Sequence, residues 1–503
     1  MGSLIRRISA ISGAAYGVNI FEVSPPKAVQ GNSSRVVGIV GDFPWGPVNV
    51  LTDISDSGTL FSTFCPAPFG AEDDYAAMDA FLNKTFPGGV KVCRIAPTSV
   101  AAATASKAYL GAAAADSTTV TAKYPGLLGN SISVAWSVNA DDATARDATV
   151  SIGTAYSVLY ANVATIVAAA LVVTDPGDPY VTFTKTVGAT VVPAAAAAVA
   201  LATGVDGTAV AADYVGTGAS DVGIRKFYGA SVDVAVLMVA SCPTAIVDAA
   251  NTGLKAYCTD NDKGMAVLCT VAGQSAATAQ TYKASYVDDR LVYAWPHVKT
   301  TNGYDPDLAE ITVDGNSFAA ALLVSVDPWI SPGGAEGAQY LTGITGLETE
   351  STSDTVYEAL RGKGIAAWFM ATALGGAIMR GGVVTSLTSG LTKIRRRRTA
   401  DYLEESIAAL LELYAEKPLD LTLSSQTLGA ITGAEIGAIH GFLDDEKTKG
   451  HIQSFSVDPW SQNVQADIDA GEWVIAMDVK TFSDQDVIVL KANIGDTVSV
   501  SSS

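Results

Sequence analysis

The feature of this 503-residue chain that most restricts its fold is a rhythm of short apolar strands and helical segments that starts, breaks off at residue 101, and resumes at 223. Val36-Val37-Gly38-Ile39-Val40 is apolar at every position, as expected of a strand covered on both faces. A loop over 41–47, helical spacing at Tyr75, Met78, Phe81 and Leu82, and a second strand over 90–95 follow. The pattern returns with a strand over 232–239, a helix over 243–257 and a strand over 265–271. Apolar strands joined by helices predict a parallel sheet with crossover connections. Residues 36–100 plus 223–375 are therefore read as one α/β core domain.

The intervening 101–222 is rich in Ala, Thr, Val and Gly, carries no charge from Val187 to Val205, and alternates over Ser131–Trp136. It predicts an inserted, mostly-β domain, with low-complexity disorder as the alternative for its Ala-rich parts. Residues 376–503 predict a C-terminal α+β domain. Asp401 with Glu404 reads as the cap of a helix carrying Leu403, Ile407, Leu410, Leu411 and Tyr414 on one face, stopped by Pro418. Thr432 with Glu435 reads as the cap of a second helix bearing Ile436, Ile439, Phe442 and Leu443. Trp473, Ile475, Met477 and Val479 alternate as a strand. The apolar run over 365–379 falls short of the roughly 20 residues a membrane span needs and predicts a buried helix. The fold class is thus α/β and α+β multidomain.

Both ends predict extended arms. Over 1–35, the segment bearing Val18, Ile20, Phe21 and Val23 has no hairpin partner nearby, ends at Pro25-Pro26, and is flanked by Gly13, Gly17 and Gly31. Val487-Ile488-Val489-Leu490 and the strand bearing Val498 and Val500 close the chain. Peptide groups in an isolated strand must be satisfied elsewhere, and the open edge of a neighbour's sheet has the same need. At ~1 kcal/mol net per ladder bond, six residues contribute on the order of 5 kcal/mol. Only 16% of residues are charged, which suits a surface covered by neighbours. The net charge of −20 disfavours nucleic acid and anionic membranes as partners.

The chemistry of catalysis is sparse. No G-x-S-x-G elbow or phosphate-binding loop occurs, and Gly362-Lys363-Gly364 follows no convincing strand. His297, His440 and His451 lie at no metal-ligand spacing. The five cysteines include no C-x-x-C pair, which argues against a disulfide framework and for folding in a reducing compartment. The N-terminus has no convincing signal-peptide core, and the sequons at Asn32 and Asn83 draw little support. The pairs Asp73-Asp74, Asp288-Asp289 and Asp444-Asp445 read as solvated faces. No catalytic residue, metal or cofactor is expected. The exception to blandness is Arg395-Arg396-Arg397-Arg398 in an acidic chain. With Lys447 and Lys449, it is a candidate electrostatic contact to an acidic tube or sister subunit.

Several segments together resemble the contractile phage tail sheath family. Gly17-Val18-Asn19-Ile20-Phe21-Glu22-Val23 is similar to its N-terminal arm, and Val37–Gly41 with Trp45-Gly46-Pro47-Val48 to its first strand and loop. Phe81 through Ile95, then Tyr124–Val134, Tyr293–Val298 and Ser331–Gly334, follow in family order. Arg397-Arg398 and the closing strands match its C-terminal domain, whereas 135–222 and 365–392 depart from the pattern. The resemblance implies a non-enzymatic subunit that assembles with itself as stacked hexameric rings, with arms adding strands to neighbours' sheets. It implies a tail tube protein, baseplate and tail terminator proteins as partners, without nucleic acid or membrane insertion. It also implies an insertion on the outer surface, a C-terminal domain facing the tube, and a place in a virion tail after assembly in the host cytoplasm. The competing readings are a secreted surface-layer or adhesion protein and an α/β enzyme without a recognisable site.

Overall fold

The computed structural model describes residues 36–482, apart from 65, 67–88, 100, 112–115, 219, 229–233, 241, 262–263, 302–309, 340, 342, 350–353, 372–375, 389 and 415–416. Both predicted arms and the helix expected at 75–82 lie outside the described residues. Contacts divide the chain into two compact units, 36–404 with 481–482, and 405–480.

In chain order the first strands are β1 (Val37–Gly41), β2 (Leu51–Ile54) and β3 (Val90–Arg94). Eight strands follow: β4 (Ser106–Leu110), β5 (Asp116–Ala122), β6 (Ile132–Val138), β7 (Ala145–Ile152), β8 (Tyr156–Val167), β9 (Ala170–Val173), β10 (Val181–Lys185) and β11 (Ala196–Ala200). Then come β12 (Val236–Val239), β13 (Met265–Val267) and β14 (Leu291–Val292). The core sheet has the order β14-β13-β12-β1-β3-β2, parallel except for the antiparallel edge strand β2.

Alternation sends Val37, Ile39, Val92, Val236, Met238 and Val267 to one face of this sheet. There they meet Leu60 and Phe64 of helix Ser57–Phe64, and helix Asn316–Ser325. Val40, Cys93, Leu237, Val239 and Leu268 go to the other face, against Ala250, Leu254 and Tyr257 of helix Val247–Asn261. Burial on both faces explains why β1 is apolar throughout. Gly38 must lack a side chain, because a Cβ there would lie 2.7 Å from the Phe227 ring.

The chain leaves this sheet after β3 and re-enters at β12, on opposite sides of β1. Between them, β10-β5-β4 and β11-β6-β7-β8-β9 form two antiparallel sheets, joined by bridges at Ser106–Ala202 and Gly111–Pro193. Their common core centres on Trp136, flanked edge-on by Tyr109 and Phe183 at 5.8 Å each. The Ala-rich stretch is ordered here: Ala196–Ala200 pairs with β6. Buried Arg94, at the end of β3, ties the sheets to the core by donating to the carbonyls of Gly46 (2.9 Å) and Pro125 (2.8 Å). At the return, the Asp213 carboxylate accepts from the Thr98 amide (3.0 Å) and hydroxyl (2.7 Å).

Three sequence expectations need correction. The run 365–379 is a pair of antiparallel strands, Ala366–Ala371 and Gly376–Arg380, so the expected domain boundary at 376 falls inside a paired element. A largely apolar run fits a doubly covered strand as well as a helix. Asp401 caps nothing: helix Ile394–Leu411 begins seven residues earlier, because arginine is a good helix former. Helix Ala430–Thr448 is capped by a residue outside its own first turn. Asp420 accepts from the amides of Ile431 (2.9 Å) and Thr432 (2.8 Å), while Thr432 Oγ1 accepts from the Gly429 amide (3.1 Å).

In the 405–480 unit, strands Ile452–Asp458 and Ala476–Thr481 pair. The second starts later than alternation suggests. Trp473 Nε1 is taken by the Pro459 carbonyl (3.0 Å), and Val474 by both ends of the Asn463 amide (2.7 and 2.8 Å).

Two outcomes follow from these ties. Arg94→Ala strands the buried Gly46 carbonyl and the half-buried Pro125 carbonyl and lowers stability by roughly 2–5 kcal/mol, read by thermal unfolding, with limited proteolysis cutting first around 95–235. Asp420 has its carboxyl held below the ordinary value by the Ile431 and Thr432 amides. Its contribution is therefore complete above the ordinary carboxylate pKa and lost as pH falls through the lower folded value. Asp420→Ala lowers the melting point of the unit by a few degrees at pH 7, and the gap to wild type shrinks below about pH 4.

Candidate assembly interface

The arginine run lies in the first turns of helix Ile394–Leu411, which sends its four side chains in different directions. Arg397 is buried and donates to Asp401 (2.6 Å) and Glu404 (3.1 Å), with Asp289 at 3.9 Å. Asp401 also receives Arg290 at 2.7 Å, which reaches back to the Gly264 carbonyl (3.3 Å) just before β13. Burial pushes the Asp401 carboxyl above its ordinary value, against the pull of Arg397 and Arg290. Asp288 accepts from the Arg290 amide (2.9 Å), so the Asp288-Asp289 pair serves this hub and is not the solvated face its sequence suggested.

Arg398 donates to the carbonyls of Val326 (2.9 Å) and Asp327 (3.3 Å), just beyond the C-terminus of helix Asn316–Ser325, where a cation is favoured. Arg396 is half-exposed and donates to the Gly390 carbonyl (3.3 Å). Arg395, also half-exposed, stands over the Phe482 ring at 5.8 Å. Two of the four arginines in this candidate contact, Arg397 and Arg398, are therefore engaged inside the fold.

In the 405–480 unit Lys447 is exposed. Lys449 is paired with Asp445 (2.6 Å) and Glu446 (3.1 Å), and these partners raise its pKa. Buried Glu446 also takes His451 Nδ1 at 2.6 Å. Strands Ile452–Asp458 and Ala476–Thr481 form a sheet of two among the described residues, so each has one edge without a described partner. One side leans on helix Ala430–Thr448, with the His440 and Phe455 rings 5.6 Å apart. Gln453, Ser454, Ser456, Met477, Asp478 and Lys480 are exposed.

No protein-family model and no curated protein matches the chain. Solved structures do. A sheath tail protein of Desulfitobacterium hafniense matches with a TM-score of 0.61 at 14% identity, over 93% of this chain and 100% of that one. A sheath tail protein of Listeria innocua matches with 0.58 at 15% identity, over 90% and 96%. The chain has the fold of the contractile tail sheath proteins. The sheath of an extracellular contractile injection system in its contracted state matches with 0.56 at 11% identity, over 96% and 98%.

Within this sheath fold, the strand-exchange candidates Val18, Ile20, Phe21, Val23, Val487, Ile488, Val489, Leu490, Val498 and Val500 lie outside the described residues. Sequence reading missed the hub of Arg290 and Asp401, because its members are 111 residues apart. Among the described residues no cluster of His, Cys, Asp or Glu is suited to a metal ion, and no helix is long and apolar enough to cross a membrane.

The hub makes the arginines unequal. Arg397→Ala leaves Asp401 buried with one partner fewer and costs about 3–5 kcal/mol in thermal unfolding. The double change Arg395→Ala with Arg396→Ala costs less than about 1 kcal/mol, as half-exposed charges do.

Proposed function

We propose that this protein is a structural subunit of a contractile sheath, polymerising with copies of itself around an inner tube, and not an enzyme. The observation that carries the reading is coverage: the likeness to sheath proteins runs over 90–96% of the chain, insertion and C-terminal unit included. A borrowed α/β core would match over the core alone.

In this reading, subunits form hexameric rings stacked helically, with the 101–222 insertion on the outer surface and the C-terminal domain facing the tube. The arms at 1–35 and 484–503 add strands to neighbours. The sheet of 452–458 and 476–481 is the natural acceptor, since each of its two strands has one edge without a described partner. The contact joins unlike patches, so it is head-to-tail and propagates. Partners are the tube protein and the baseplate and terminator proteins at the two ends. The extended lattice is held by a kinetic barrier, and a baseplate signal releases it to a shorter, wider state that drives the tube through a cell envelope. The particle is a phage tail, used for genome delivery, with assembly in the host cytoplasm.

Deleting residues 484–503 tests the arm. The full chain, concentrated and viewed by negative-stain electron microscopy, forms tubes or ring stacks. The truncated chain stays monomeric with an unchanged melting point. Tubes from the truncated chain would remove the arm from the mechanism, and a full chain that stays monodisperse at every concentration would remove self-assembly.

A further inference from the structure

Strand Val298–Thr300 lies between strands Ile311–Val313 and Ile344–Leu347 and runs antiparallel to both. Val298 stands opposite Val313 and Leu347, and all three turn to the apolar core. One step back along this register sets His297 between Asp314 and Glu348, on the other face of the small sheet. The Glu348 amide donates to the His297 carbonyl (2.9 Å), and His297 Nδ1 stands 3.9 Å from Glu348 Oε2. His297 Nε2 is buried and has no hydrogen-bond partner among the described residues, so Nδ1 is the polar outlet of the ring. The row reads carboxylate, imidazole, carboxylate.

Both carboxylates hold one turn at the C-terminal edge of the core sheet. Asp314 accepts from the amide (2.7 Å) and hydroxyl (2.7 Å) of Thr270, just after β13, and from the Asn316 amide (3.2 Å). Glu348 accepts from the Gly273 amide (2.9 Å) at the far end of the same turn. The other titratable groups facing Asp314 are Cys269 and Tyr293, both held above their ordinary values and so uncharged near neutral pH. Lys299, next along the central strand on the same face, is half-exposed and pairs with Glu310 at 3.6 Å. His297 is thus the cation available between the two carboxylates. Burial raises the Asp314 carboxyl above its ordinary value, and His297, then Thr270, pull against it.

We propose that Asp314, His297 and Glu348 form a proton-operated clasp that tightens the Thr270–Gly273 turn on the core sheet as pH falls through neutrality. With the imidazole protonated, one cation faces two carboxylates, and both keep their grip on the turn. With the imidazole neutral, the two carboxylates share a part-buried site with no cation between them, and their repulsion is relieved by letting the turn loosen. Histidine is the side chain whose charge ordinarily changes in this range. Asp314 acts in the same direction. Its raised value means that the folded chain holds a proton the unfolded chain has already lost, so this contribution to stability is complete below the ordinary carboxylate pKa and is lost as pH rises through the folded one.

The test is hydrogen–deuterium exchange read by mass spectrometry on the dilute full-length protein at about pH 8 and about pH 6, each rate corrected for its intrinsic pH dependence, with melting points taken under the same conditions. The expected result is a several-fold gain in protection of the peptide 268–275 at the lower pH, and a melting point several degrees higher. His297→Gln, which keeps a polar side chain and loses the charge, removes the gain in protection. Glu348→Gln, on the more open side of the row, keeps an acceptor for the Gly273 amide and shrinks the gain. Three results would overturn the clasp: protection of 268–275 that is flat with pH, a gain that survives both substitutions, or a gain spread evenly over the chain, strands 132–152 included, which would trace to relief of the net charge of −20. Neither readout depends on whether the protein assembles into tubes.

Discussion

The structure depends on one constraint: a parallel sheet buried on both faces. Every side chain of β1 is taken by one of two apolar layers, so the sheet has no free face on which to carry anything else. Additions must be made at its ends, and each end brings backbone polar groups into a crowded junction. Arg94 and Asp213 answer that need at the exit to the inserted sheets and at the return. Arginine suits the first place because its guanidinium reaches several carbonyls at once, and a carboxylate suits the second because it takes an amide and a hydroxyl together.

The same economy appears in the charges. An acidic chain with few cations spends Arg290, Arg397 and Arg398 inside, on a shared carboxylate and on carbonyls at a helix end. A buried guanidinium with one carboxylate roughly repays its own desolvation. Two guanidiniums around Asp401, with Asp289 and Glu404 at the rim, do better because each charge has more than one partner. The run that looks like a surface patch in the sequence is therefore half structural.

What was legible in the sequence is what depends on near neighbours along the chain. The buried strand at 37–41, the strand at 90–94 and the helix before Met265 follow from local apolar spacing. The insertion follows from a change of composition. What was not legible depends on partners far away. Asp420 caps a helix across an intervening hairpin, Asp401 turns from cap to ion-pair hub because Arg290 arrives from the residue before β14, and 366–371 and 376–380 become paired strands whose apolar residues enter both core layers. Thr432 shows the halfway case: a helix start near it was readable, but not that Thr432 lies inside the first turn, accepting from the Gly429 amide while Asp420 accepts from its own.

Identities of 11–15% over nearly the whole chain set a further constraint on any account of the role. Side-chain interfaces between copies must co-vary to survive such divergence. Main-chain ladders need only an extended segment and an open edge, and nearly any residue but proline can supply them. An assembly joined by exchanged strands can therefore keep its geometry while its sequence drifts. The exposed positions on the 452–458 and 476–481 strands, among them Gln453, Ser454, Ser456, Asp478 and Lys480, are mostly small, polar or charged. Under the proposed role, specificity then resides in register and arm length, so a one-residue insertion in an arm would disturb assembly more than most substitutions within it.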